Sequence, residues 1–433
     1  MNTVKLLIDG QKRDAVDQKT FTRMNPITGE VASVAAAAQP ADVQAALESA
    51  EKAFHVWSKL GPTERRKRLL KAADLMDQRA EEFVLTARQE TGSTNSWYGF
   101  NVHLSANILR EAAAMTTQID GSILPSDLPG SLSMGFRVPC GVILSIAPWN
   151  APVILATRAV AMPLACGNTV ILKASELCPA THALIGEVLN DAGIGEGVIN
   201  VVTNAPEDAA SVVEQLIAHP AVKRVNFTGS TKVGKIIAGT AAKYLKPVLL
   251  ELGGKAPVIV CEDADLDQAV EGVAFGAFFN QGQICMSTER LIVSEKIADE
   301  FLEKLVAKIK RIKVGSPDLE DTTFAYLESE NSVKRITALI EDAVAKGASL
   351  PVPLQTDGAL MHPLIVNGIT PEMKLYYEES FGPVATMTTF KTEEEAVRLA
   401  NDTAYGLSSA VFTQNLNKGL DIAKQIDSGI CHI

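Results

Sequence analysis

A cysteine that attacks carbon must be reachable, ionised, and close to donors that can hold the oxygen it creates. Gln281-Gly-Gln283-Ile-Cys285-Met286 places a thiol directly after a glycine-containing turn. Such a thiol is a candidate nucleophile, although a lone cysteine also serves as a small core filler. Leu250-Glu251-Leu-Gly-Gly254-Lys255 sets a carboxylate beside a Gly-Gly turn, near backbone and near any ligand there, or simply on a surface before a loop. Pro148-Trp149-Asn150 ends a β-rich run in an apolar region. The amide of Asn150 must find a partner there, either as a structural cap or as a donor to a developing oxyanion.

Three further motifs suit a nucleotide. Asn226-Phe-Thr-Gly229-Ser230-Thr-Lys-Val-Gly234-Lys235 follows a predicted strand and opens a helix, where free N–H groups attract phosphate. It is not a triphosphate loop, because Ile236 stands where a magnesium-binding hydroxyl is required. Lys173-Ala-Ser-Glu176 ends another strand, so its ammonium and carboxylate can meet ribose hydroxyls or simply finish a surface strand. Glu378-Glu379-Ser-Phe381-Gly382-Pro383 offers acids and an aromatic ring before a strand, for a flat cofactor or for core packing.

The elements that must hold these groups alternate. Val142–Ala147, Thr169–Lys173, Val198–Val202 and Arg224–Phe227 read as strands, with helices over 153–166, 179–192 and 206–218 between them. A second series has strands at Pro257–Cys261, Arg290–Val293 and Val384–Phe390, and helices at 265–279, 297–312 and 331–346. Alternation of this kind predicts parallel sheets covered on both faces. Ahead of them, residues 4–9 read as a strand, and 40–57 and 62–90 as helices. The run Arg65-Arg-Lys-Arg68 with Lys71 reads as a solvated helix face.

Composition fits this picture. The chain has 433 residues, 47% hydrophobic and 21% charged, enough for two or three units with real cores. A net charge of −11 argues against a general nucleic-acid or anionic-membrane surface. The apolar region from Gly141 to Leu172 is broken by Pro148, Asn150, Pro152, Arg158, Pro163 and Asn168, so it does not read as a membrane span. The six scattered cysteines form no C-x-x-C pair, and the six histidines form no ligand cluster. Thiols in a reducing compartment, a cytoplasmic location and no bound metal are therefore expected.

Taken in order, Pro148-Trp-Asn150, Lys173-x-x-Glu176, Phe227-Thr-Gly-Ser230, Glu251-Leu-Gly-Gly-Lys255, Gln283-x-Cys285 and Glu379-x-Phe381-Gly-Pro383 resemble the aldehyde dehydrogenase superfamily over nearly the whole chain. Cys285-Met-Ser-Thr-Glu-Arg290 and Trp97-Tyr-Gly-Phe-Asn101 are similar to its bacterial salicylaldehyde and vanillin dehydrogenases. The resemblance implies an α/β fold with a Rossmann-type cofactor domain at 1–118 and 141–252. It also implies a β-hairpin for oligomerisation at 119–140 and an α/β catalytic domain at 253–433. It implies NAD-dependent oxidation of an aromatic aldehyde to its acid, with Cys285 as nucleophile, Glu251 as base for the hydrolytic step and Asn150 at the oxyanion. Trp149, Lys173, Glu176, Gly229, Ser230, Glu379 and Phe381 would hold NAD in preference to NADP. Trp97, Arg158 and Met286 would line the aldehyde pocket, with Tyr98 beside Trp97. Family members continue past the Cys431-His-Ile433 strand with a substrate-side loop and a strand that crosses to a neighbouring subunit, in a homodimer or homotetramer. Phe324-Ala-Tyr326 departs from the family's Gly-Pro turn. Competing readings are an inactive NAD-binding homologue, an aliphatic or semialdehyde dehydrogenase, and a thioester hydrolase that uses Cys285 and Glu251 without NAD.

Overall fold

The computed structural model describes residues 1–433. The chain forms two compact units: Met1–Asn25, Gly29–Glu90 and Asn95–Glu251 make the first, and Pro26–Thr28, Thr91–Thr94 and Leu252–Ile433 the second.

The first unit is built on a seven-stranded sheet. Its order is Val248–Glu251, Val222–Thr228, Val142–Ile146, Thr169–Lys173, Ile199–Val202, Leu6–Ile8 and Gln11–Arg13. The first five strands are parallel; Leu6–Ile8 runs antiparallel to Ile199–Val202, and Gln11–Arg13 antiparallel to Leu6–Ile8. Val142–Ile146 and Thr169–Lys173 are buried at all five positions, which requires cover on both faces. The chain begins this parallel set in the middle, at Val142–Ile146, and moves outward to Thr169–Lys173 and Ile199–Val202. It then crosses back to Val222–Thr228. The order therefore reverses between two neighbours, with Ile146 paired to Phe227. A three-stranded sheet of Asn2–Val4, Val31–Ala36 and Thr20–Met24 lies in the same unit, as does the hairpin of Ser122–Leu124 and Ser133–Gly135.

The second unit has six parallel strands, in the order Leu364–Asn367, Val384–Phe390, Thr288–Ser294, Ala256–Val260, Ser408–Phe412 and Ile430–His432. Its largest core gathers Val258, Leu291 and Val384 from the sheet with Phe278, Phe301, Ile336 and Leu339 from helices. Phe324, from the Phe324-Ala-Tyr326 segment, is buried in this core.

Several expectations need correction. The helix read over 62–90 is two helices, Pro62–Gln78 and Ala80–Thr91, broken at Arg79. Arg65 is not on a solvated face: it is buried, and its guanidinium donates to the carbonyls of Ala165 (3.0 Å) and Leu60. Residues 4–9 belong to two short strands, Asn2–Val4 and Leu6–Ile8, in different sheets. Helix Asn95–Met115 has a weak amphipathic signal because it packs against Pro62–Gln78 and Pro152–Ala165 together. No helix is long and apolar enough to cross a membrane.

Phe301 is fully buried in the second core. Phe301→Ala should therefore destabilise the fold by about 3–5 kcal/mol, read as a lower urea midpoint at unchanged slope. A loss under about 1 kcal/mol would mean that the core closes over the cavity.

Candidate active site

The two units present their candidate residues at opposite ends of their strands. In the first unit the motifs follow strand carboxyl ends. Pro148-Trp149-Asn150 follows Val142–Ile146, and Gly229-Ser230 follows Val222–Thr228. These are the two strands at which the order reverses, the place where open α/β sheets bind ligands. Ser230 caps helix Thr231–Lys243: its Oγ accepts from Val233 N at 3.3 Å, and the Thr231 and Lys232 N–H groups ahead of it are left to face an anion. Lys173 and Glu176 form a salt bridge, and Glu176 Oε1 also accepts from Asn204 Nδ2 at 2.9 Å. The carboxylate is held in one place with lone pairs to spare for hydroxyl donors. This donor set, a helix N-terminus at the switch point and an anchored carboxylate at the carboxyl edge of the same sheet, fits the pyrophosphate and ribose of a dinucleotide.

Asn150 is buried, and its carbonyl accepts from Trp97 Nε1 at 3.0 Å. Trp97 thus fixes the backbone of the Asn150 turn, and its ring stacks on Phe100 at 5.9 Å. Tyr98 is fully buried, while Arg158 is exposed. Glu251 ends its strand half-buried, with its carbonyl accepting from Gly229 N at 3.0 Å. The Glu251 and Gly229 motifs, far apart in the chain, are thereby adjacent on one sheet edge.

In the second unit the candidates precede strand amino ends. Cys285 comes before Thr288–Ser294, Gly254 before Ala256–Val260, and Glu379 and Phe381 before Val384–Phe390. The backbone ahead of Cys285 is unusual, because Asn280, Gln281 and Gly282 are left-handed in succession (φ 49°, 57° and 69°). For the two non-glycine residues this conformation is costly. It is held by Asn280 Nδ2 donating to Gln283 O and Gln283 Nε2 to Asn280 O (3.3 Å each), and by Ser93 Oγ donating to Gln281 Oε1 (2.8 Å). Ser287 N then donates to Ile284 O at 2.9 Å, closing a turn around Cys285 and Met286. Cys285 is half-buried and in no disulfide, and Met286 is exposed. Met286 borders a largely apolar cavity of about 370 Å³ with Phe275, Phe279, Ile284 and His432, in the size range of a small-molecule site. A larger cleft of about 810 Å³, near Lys310–Val314, contains none of the candidates.

Glu379 Oε1 accepts from Gly254 N at 2.8 Å. Burial pushes its carboxyl up to about 7, against the lowering effects of the Gly254 N–H and of Lys255.

Sequence reasoning missed His182, which is fully buried. Its Nδ1 accepts from Ser175 N at 3.1 Å, so it fixes the loop that carries Glu176, and its Nε2 lies 3.4 Å from Cys178 Sγ. Burial, then the charge of Lys173, lowers its pKa to about 3, and the ring is neutral. The available signal was the i, i+4 spacing of Cys178 and His182 across a helix start.

Residues 13–433 match the model of the aldehyde dehydrogenase family. The chain belongs to the aldehyde dehydrogenase family. It is 57% identical to a vanillin dehydrogenase of Pseudomonas fluorescens, over the whole of this chain and 90% of that protein. It is 47% identical to a salicylaldehyde dehydrogenase of Pseudomonas sp. strain C18, over 99% of this chain and 89% of that one. Among solved structures, the salicylaldehyde dehydrogenase of Pseudomonas putida G7 complexed with salicylaldehyde superposes with a TM-score of 0.98 at 46% identity, covering all of this chain and 90% of the other. The aldehyde dehydrogenase fold read from the ordered motifs is therefore present, and the chain is an aldehyde-oxidising oxidoreductase of an NAD(P)-using family.

The raised pKa of Glu379 has a consequence for folding. The unfolded chain releases this proton near 4.5 and the folded protein near 7. Its contribution is therefore complete below about 4.5 and is lost as pH rises through about 7. The stability difference between wild type and Glu379→Gln, from urea unfolding at pH 5, 6 and 7, should shift against wild type as pH rises. A constant difference would show that Glu379 titrates normally.

Proposed function

We propose that this protein oxidises an aromatic aldehyde of the vanillin, salicylaldehyde or benzaldehyde type to the carboxylic acid, with NAD rather than NADP as hydride acceptor. The observation that carries the reading is the turn at Cys285, where three left-handed residues and two glutamine side chains hold a reachable thiol. The names of the relatives at 57% and 47% identity supply the substrate class.

In this mechanism Cys285 adds as thiolate to the aldehyde carbon. The Asn150 NH₂ and the Cys285 N–H hold the resulting oxyanion, each worth about 3 kcal/mol in the transition state. A nicotinamide held there would supply the hydride acceptor, and Cys285 keeps the acyl group as a thioester. Glu251 removes a proton from water to release the acid, which makes water and not another thiol the acyl acceptor. Gly229 and Ser230 would hold the pyrophosphate, and Trp149, Lys173 and Glu176 the adenosine side. Glu379 would take the nicotinamide ribose, with Phe381 at its ring. The anchored Glu176 carboxylate opposes a 2′-phosphate, which favours NAD. Trp97 and Met286 would line the aldehyde side, with Arg158 for a ring substituent. The hairpin residues Ile123, Phe136 and Val138, each more than 70% exposed, would be covered in a homodimer or homotetramer.

A panel of aromatic and aliphatic aldehydes read at the NADH absorbance tests the reading directly. Aromatic substrates should give the highest kcat/KM, and Cys285→Ala should abolish NADH formation. NADH from aliphatic aldehydes alone would reject the substrate class, and none from any aldehyde would reject the activity. Glu251→Gln should retain a stoichiometric NADH burst but lose about 100-fold or more in steady-state rate. Loss of the burst would place Glu251 before hydride transfer instead. Glu176→Ser should weaken NAD by about tenfold, or about 1.4 kcal/mol, and narrow the NAD-to-NADP ratio. An unchanged ratio would mean that another group sets it.

A further inference from the structure

Lys255 and Glu289 form an ion pair of 2.6 Å with side chains 0% and 4% exposed. Neither takes part in the chemistry proposed above. Burying two charges sacrifices much of their hydration, and such pairs are often no more stabilising than apolar side chains of similar size. What the pair fastens is therefore more informative than its strength.

Glu289 sits in strand Thr288–Ser294, just after the Cys285 turn, and its carboxylate serves three donors. Oε1 accepts from Ser380 N at 2.9 Å and from Phe381 N at 3.0 Å. Oε2 accepts from Ser380 N at 2.9 Å and from Lys255 Nζ. Phe381 is a non-glycine residue at φ +46°, a conformation that lasts only where its surroundings impose it. The next residue is held from the other side. A side chain at Gly282 would meet the Gly382 carbonyl within 2.1 Å, so the Cys285 turn and this loop touch backbone to backbone. Lys255 extends from the Gly-Gly turn whose Gly254 N–H binds Glu379, and its own carbonyl accepts from Arg290 Nε at 3.0 Å. One carboxylate thus joins the Gly-Gly turn, the strand behind the cysteine, and the loop that carries Glu379 and Phe381.

From this convergence we infer that Glu289 is a positioning residue for the nicotinamide end of the cofactor, with Lys255 as its countercharge. It fixes the Ser380 and Phe381 amides, and through them the directions of the Glu379 carboxylate and the Phe381 ring. The inference rests on the NAD-dependent reading above. A carboxylate is required because it only accepts, whereas an amide here would turn an NH₂ toward an N–H or toward the ammonium.

The test separates the two ends of the cofactor. NADH binding is followed by its fluorescence, and AMP, which lacks the nicotinamide half, by competition. In Glu289→Gln the Kd for NADH and the KM for NAD should rise about tenfold or more, while the Kd for AMP stays within about twofold of wild type. If Glu289→Gln does not fold, the double variant Lys255→Met with Glu289→Leu replaces the buried pair by apolar side chains and leaves the Ser380 and Phe381 N–H groups without their acceptor. It should show the same selective loss of NADH over AMP. Equal weakening of NADH and AMP, or unchanged NADH binding, overturns the assignment. Wild type that binds NADH and AMP but makes no NADH with any aldehyde refutes the proposed activity and leaves the role of Glu289 standing.

Discussion

In the second unit, three pieces of backbone approach more closely than side chains would allow. A β-carbon at residue 254 would lie 2.2 Å from the Cys285 carbonyl, and one at residue 282 would lie 2.1 Å from that of Gly382. Both positions are glycine, so the turns that carry Cys285, Lys255 and Phe381 can touch without intervening atoms. A methyl at either place would push a candidate residue out of line by the width of an atom, and catalytic geometry tolerates little such error. The left-handed run at Asn280, Gln281 and Gly282 serves the same contact, since an ordinary helical continuation would carry the chain past it.

The two parallel sheets deliver their residues differently, and the difference follows from connectivity. In the first unit the strand order reverses at Val142–Ile146 and Val222–Thr228, so the two following turns diverge and leave room at the carboxyl edge. A helix that starts there also aims its N–H groups into that room. The second unit keeps its candidates at the amino edge, ahead of the strands. No helix N-terminus is needed to draw phosphate to that edge. It supplies rigid turns whose positions are set by the buried strands behind them.

Much of this was legible in the sequence. Alternating strands and helices announced both sheets, and the strands at Thr169–Lys173 and Val384–Phe390 begin and end where the residue pattern places them. The order of the site motifs identified the family. What escaped notice escaped for physical reasons. Arg65 sits in a basic run that looks solvated, yet carbonyls of Leu60 and Ala165 accept from it inside the fold, and periodicity cannot show a buried acceptor. The break at Arg79 interrupts a helical pattern without glycine or proline to mark it. Helix Asn95–Met115 is packed by two neighbours and shows little one-sidedness. Glu289 reads as one charge in a strand, and only the fold shows Lys255 and the Ser380 and Phe381 amides around it.

The buried polar residues outside the reacting set share this logic. Glu90 is fully buried, and its carboxyl oxygens accept from Ser33 Oγ (2.6 Å), Ala180 N (2.9 Å) and Thr181 N (3.0 Å), which ties helix Pro179–Asp191 to the strand Val31–Ala36. His182, on that helix, fixes the Ser175 amide and so the loop of Glu176. Arg290 gathers the carbonyls of Lys255, Leu399 and Ala400 at 3.0, 2.8 and 2.6 Å. Each places a multivalent polar group where several chain segments end with unsatisfied backbone. An apolar side chain would fill the same volume but leave those N–H and C=O groups without partners, at a cost of about 1–3 kcal/mol each. Loops without regular hydrogen bonding need such fasteners, and His182 supplies one for the loop that carries Glu176.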